Sequence, residues 1–106
     1  MTEICFWNNS VGICGFSAQG HTGFAENGHD PVCAAISSAL YMTANTITDV
    51  IKAPCESLEV ADGLMELQLS SSRQSDCQVL LQGLLIHLQE LASQYPDEIR
   101  LIRRKR

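Results

Sequence analysis

Two stretches of this chain place apolar residues three and four apart: Cys33, Ile36, Leu40, Ala44, Ile47 and Ile51 in the first, and Cys77, Leu80, Leu81, Leu84, Leu88, Leu91 and Tyr95 in the second. That spacing forms one stripe of an α-helix, and Pro54 and Pro96 mark where each helix must have ended. A helix with a single apolar stripe has to bury it, and the partners are segments of period two. "EICFW" alternates Ile4 and Phe6 against Cys5 and Trp7, "NNSVG" turns the chain, and "VGICGFSAQ" resumes with Cys14, Phe16 and Ala18 on one face. A second pair, "SLEV" and "LMELQLS", is joined through Ala61-Asp62-Gly63, where Asp-Gly favours a tight turn. "EIRLI" closes as a last strand. The order β-β-α-β-β-α-β predicts an α+β two-layer sandwich, one sheet with two helices on one face. With 106 residues, 45% of them hydrophobic, a single domain over residues 1–106 has enough core to stand without staples.

Composition narrows the function classes. "MTEICFWNNS" carries no basic region ahead of an apolar core, and His87 interrupts the longest apolar neighbourhood, Leu84 to Leu88, so neither a targeting segment nor a membrane span is expected and the protein is placed in the cytoplasm. Five cysteines at 5, 14, 33, 55 and 77 include no CxxC pair, which argues against a zinc ribbon or dithiol site and for reduced thiols. No metal and no cofactor are expected. Four of the five read as small buried hydrophobes.

Charge is uneven. Residues 1–97 hold 11 acids against Lys52 and Arg73, net −9, whereas "EIRLIRRKR" holds five bases and Glu98, net +4. The acidic body repels nucleic acid and attracts a basic partner. A nucleic-acid role is expected, if anywhere, only at the basic C-terminal tail, whose plainer reading is a solvated terminus. Val79 and Ile86 project from the second helix away from its stripe, which fits either a self-association surface or scattered exposed apolar residues.

One cysteine stands apart. In Asp30-Pro31-Val32-Cys33, Asp suits a helix N-cap and Pro the first helical position, which puts Cys33 in the first turn, where backbone N–H groups and the helix dipole favour thiolate. The Asp30 carboxylate opposes this, and a histidine would offset it: His29 lies four residues before Cys33 and His21 twelve before. A histidine in reach takes the thiol proton and later protonates a leaving amine, while N–H groups at the helix start or in the loop of Gly20 and Gly23 are candidates for the oxyanion. On spacing alone the alternative stands beside it: such pairs arise by chance, and Asp-Pro caps and glycine turns are ordinary architecture. In that case the chain is a non-catalytic ferredoxin-like binding module or a ribosome-associated one. His87, Cys55 and Cys77 read as structural.

The stretch "GHTGFAENGHDPVCAAISSAL", residues 20–40, resembles the ribosomal-processing cysteine protease (Prp) family, marked by Gly-His-x-Gly-[Tyr/Phe]-Ala followed by Gly-x-Asp-x-Val-Cys-Ala-Ala and a Ser-Ala-Leu-like end. Its fixed spacing over 21 residues is far more specific than a lone His and Cys; outside it the likeness is one of element order. The resemblance implies that Cys33 is the nucleophile and His21 its acid/base partner, with Asp30 and Ser37 supporting. His29 occupies a slot the motif leaves open and ranks below His21. Pro31 stands where the family more often has an aliphatic residue, and Thr22 and Phe24 are conservative variants. The resemblance further implies a cysteine endopeptidase that removes a short apolar, aromatic-containing N-terminal extension from a large-subunit ribosomal protein of bacteria such as Firmicutes, through an acyl-enzyme. It also implies a basic ribosomal precursor as substrate and a homodimer. The glycines at 20, 23 and 28 suit a loop that opens for the peptide.

Overall fold

The computed structural model describes residues 1–20 and 31–106. Five strands form one mixed sheet in the order β3-β4-β2-β1-β5: β1 (Thr2–Asn8), β2 (Ile13–Gln19), β3 (Cys55–Ala61), β4 (Leu64–Leu69) and β5 (Ile99–Lys105). Two helices accompany it, α1 (Pro31–Asn45) and α2 (Gln78–Gln94), so the element order agrees with the sequence pattern. β1, β2, β4 and β3 pair antiparallel in turn, and β5 returns parallel to β1.

The period-two pattern becomes apolar rows across the sheet. Leu101, Ile4, Ala18, Met65 and Val60 are lateral partners in successive strands, as are Phe6, Phe16, Leu67 and Leu58. The inner members of these rows meet Val32, Ile36, Leu40 and Ala44 of α1 and Leu81, Leu84, Leu85 and Leu88 of α2 in one core. Phe6 and Phe16 are fully buried with ring centroids 6.4 Å apart, and burial of each such side chain is worth about 1.5–3 kcal/mol. Where the rows reach edge strand β3, Leu58 and Val60 are half exposed.

The structure corrects three expectations of detail. Cys14 does not share the face of Phe16 and Ala18. The register slips between Trp7 and Asn8, which pair with Gly15 and Ile13, so Cys14 is the extra residue of a bulge and Ile13 takes the core place. The first helix does not run regularly to Pro54. After Asn45 it widens into a π-type segment, Thr46–Ile51, and stops at Lys52 in the left-handed region, φ 59°. Third, Cys33 is not on the inner stripe: Val32 fills that position, 2% exposed, and Cys33 lies on its flank, partly exposed.

Two glutamines that the apolar pattern passes over hold the β1–β2 turn. Gln74, buried in the short 3₁₀ stretch Ser71–Cys77, donates to Asn9 Oδ1 at 2.8 Å and accepts from Asn9 Nδ2 at 3.0 Å. Gln78 accepts from the Ile13 N–H and donates to the Ile13 carbonyl, both at 2.8 Å.

Candidate active site

The topology sorts the sheet into two ends. At one, the Gly20 N–H at the exit of β2 donates to the Gly63 carbonyl in the β3–β4 turn at 2.9 Å, and the Thr2 N–H at the start of β1 donates to the Glu98 carbonyl ahead of β5 at 2.8 Å. At the other lie the β1–β2 turn, the start of β3 and the entry to α2, tied by the Ser70 N–H donating to the Pro54 carbonyl at 3.0 Å. α1 covers the distance between these ends: 15 helical residues span about 22 Å, close to the roughly 23 Å of a seven-residue strand. Since its C-terminal continuation feeds β3 at the second end, its first turn lies at the first. Cys33, third residue of the helix, is therefore at the end where Gly20 leaves the sheet.

In that first turn the backbone N–H groups point out of the helix N-terminus, where they are placed to meet developing negative charge. The other four thiols are placed differently. Cys5, Cys14 and Cys77 are buried, Cys55 at the start of β3 is partly exposed like Cys33, and burial pushes these four thiols above the ordinary range. Arg104 opposes the shift at Cys5 and Arg106 opposes it at Cys14. Ser37 follows Cys33 by one helical turn on the same flank and is exposed.

Gly20 has φ 92°, and a Cβ there would come 2.6 Å from the Met1 carbonyl oxygen. Its N–H is already donated to Gly63, so its evident part is to turn the chain out of β2 rather than to face an oxyanion. His21, Gly23, Gly28, His29 and Asp30 lie outside the described residues. His87 is exposed and lines a shallow groove between the helices with Met42, Val79 and Gly83; Val79 and Ile86 are 89% and 63% exposed.

Two features of this end were not legible as site features in the sequence. Glu3, Asp62, Asp97 and Glu98, scattered over 96 positions of the chain, are placed at this end by strand pairing and the hairpin turn, with Arg100 facing Glu3 at 4.0 Å. Thr2, 4% exposed, carries the buried side-chain polar atom that has no partner among the described residues. No group of three His, Cys, Asp or Glu side chains converges among the described residues. No helix among them is long and apolar enough to cross a membrane.

Comparison with known proteins identifies the family and the fold. A sequence model of the family described as "Cysteine protease Prp" matches residues 1–100. A ribosomal processing cysteine protease Prp of Staphylococcus aureus is 30% identical over 83 residues, 77% of this chain and 78% of the relative. Its counterpart from Bacillus subtilis is 27% identical over 101 residues, 89% and 88% of the two chains. Among solved structures, an essential ribosomal processing protease Prp from S. aureus with a covalently linked product peptide superposes with a TM-score of 0.86 at 26% identity, over 97% of this chain and 99% of that one. A second S. aureus Prp structure, with a substrate peptide, gives 0.82 at 25% identity over the same shares.

Proposed function

From the premise that this chain belongs to the cysteine protease Prp family and is a cysteine protease, we propose that it cleaves the N-terminal extension from a ribosomal protein precursor with Cys33 as nucleophile and His21 as acid/base partner. The observation that carries this reading is the placement of Cys33, partly exposed in the first turn of α1 at the end of the sheet where Gly20 leads toward His21.

In the proposed reaction His21 takes the proton of the Cys33 thiol, and the sulfur attacks the carbonyl carbon before the cut. The C–N bond breaks with the proton passing from His21 to the leaving amine, leaving a thioester. Water, deprotonated by His21, then attacks the thioester and releases the acid and the thiol. Backbone N–H groups of the first turn of α1 and of Gly23 receive the developing oxyanion. Asp30 caps the helix and Ser37 supports the same flank. That a neighbour at TM-score 0.86 holds a covalently linked product peptide fits covalent catalysis.

The substrate is a basic ribosomal precursor, and the carboxylates of Glu3, Asp62, Asp97 and Glu98 around the catalytic end favour such a chain over an acidic one. The protein works in the cytoplasm as one domain and pairs with a second copy through the helix face of Val79 and Ile86. Incubation with the precursor, followed by mass measurement of both fragments, tests the reading. Wild type is expected to release the extension, and Cys33→Ala and His21→Ala to leave the precursor intact. Cleavage that persists in Cys33→Ala would move the chemistry to another residue.

A further inference from the structure

The basic run at the C-terminus is not a loose tail. Arg103, Arg104 and Lys105 belong to β5 and stay in register with Phe6, Trp7 and Asn8, and the Arg106 N–H donates to the Asn8 carbonyl at 2.8 Å. Four cations are thus mounted on the edge strand of the sheet, at the end opposite Cys33. None of them makes a salt bridge among the described residues; Arg100, by contrast, faces Glu3 at 4.0 Å and belongs to the other end.

Strand alternation divides the cations between two faces. Leu101 points to the helices, so Arg103 and Lys105 follow it, both exposed and about 7 Å apart along the edge. Arg104 stands on the face that no helix among the described residues covers. Trp7 is its lateral partner there, partly exposed, on the side of β1 away from the core. Arg106 reaches over the same face to Gln68, across the bulge that carries Cys14. The result is a sheet face, uncovered among the described residues, with an aromatic ring flanked by guanidinium groups and bordered by an open basic edge, on a chain whose net charge is −5.

We propose that this face and edge bind single-stranded RNA: phosphates along Arg103, Lys105, Arg104 and Arg106, and a base stacked on Trp7. Charge complementarity selects a polyanion, and the indole beside the arginines selects one with unpaired bases, since stacking on an aromatic ring and guanidinium contacts are the two terms that hold single strands on open sheets. Because these residues are remote from Cys33, RNA and a peptide substrate occupy different ends of the molecule. A ribosomal precursor carried on RNA would reach the catalytic end while its RNA is held at the other.

Fluorescence anisotropy with a labelled dodecauridylate tests this on the full chain. Saturable binding is expected at about 50 mM salt, with log K falling against log salt at a slope of roughly −2 to −3, the value for three or four phosphates. The double change Arg103→Glu and Lys105→Glu, at exposed positions, should weaken binding tenfold or more while cleavage of a short peptide substrate stays at the wild-type rate. Trp7→Ala should weaken it about fivefold or more and Trp7→Phe should largely restore it, with cleavage of the short peptide at the wild-type rate in both variants, which a loss of fold would not permit. Absence of saturable binding, or charge reversal without effect, would overturn the proposal. So would equal competition by polyglutamate, which would make the surface one for acidic proteins, or a change of oligomeric state on charge reversal in place of a change in RNA affinity.

Discussion

Replacement of Gly20 by alanine tests whether the exit from β2 is as constrained as the geometry says. At φ 92° an L-residue is strained, by about 1–2 kcal/mol for the left-handed region. The new Cβ would also stand 2.6 Å from the Met1 carbonyl oxygen, closer than real contacts allow. Met1 is exposed at the chain start and gives way, but its shift pulls on Thr2, whose N–H bond to the Glu98 carbonyl is worth about 1 kcal/mol. The expected destabilisation is about 2–3 kcal/mol, a fall in melting temperature of roughly 10 °C for a domain of this size. Gly83→Ala is the control: it lies exposed in α2 with nothing within 4 Å of the added Cβ, and should gain about 0.5–1 kcal/mol. Calorimetry and peptide cleavage are the assays. Because His21 follows directly, Gly20→Ala should also slow cleavage at temperatures where the variant is fully folded. A melting temperature within a degree or two of wild type, with Gly83→Ala raised as expected, would refute the reasoning about this turn.

Two further outcomes follow from the thiols. Iodoacetamide near neutral pH should label Cys33 well ahead of Cys5, Cys14, Cys55 and Cys77, read by peptide mass mapping; equal labelling of Cys77, which is 0% exposed, would contradict the burial described above. Stability should also fall on the alkaline side. Burial raises the pKa of Cys77 in the fold, with Asp76 adding to the shift, so the native state keeps a proton that the unfolded chain loses above about pH 8.5. The contribution is intact below that pH and is lost as pH rises from the unfolded toward the folded value. Urea titrations between about pH 7 and 10 should show this slope, and Cys77→Ala should reduce it, the remainder coming from Cys5, Cys14 and Cys55, whose thiols are raised in the same direction.

Much of the architecture was legible because periodicity and burial are the same statement. Ile4 and Phe6, or Ile36, Leu40 and Ala44, can only share a face if the strand or helix exists, and a single layer of helices is the simplest cover for one apolar sheet face. The tight hairpin was legible for a local reason: Gly63 takes φ 72°. The wide turn at Thr46–Ile51 was masked by the apolar spacing of Ala44, Ile47 and Ile51, although five of its six residues are β-branched and weaken a regular helix.

Taken alone, the sequence determined the order of elements, the family to which residues 20–40 belong, and the cysteine that begins a helix, because each is a matter of residue type at short, fixed spacing. Tertiary structure alone decided the rest. It moved Cys33 from the buried stripe to its partly exposed flank, because the best-buried position in the first turn went to Val32. It turned Cys14 to the other side of the sheet through one unpaired residue in the ladder. It placed Glu3, Asp62 and Glu98 at the end where Gly20 leaves the sheet and carried Arg103 to Arg106 to the other, since strand pairing joins residues that no local pattern relates.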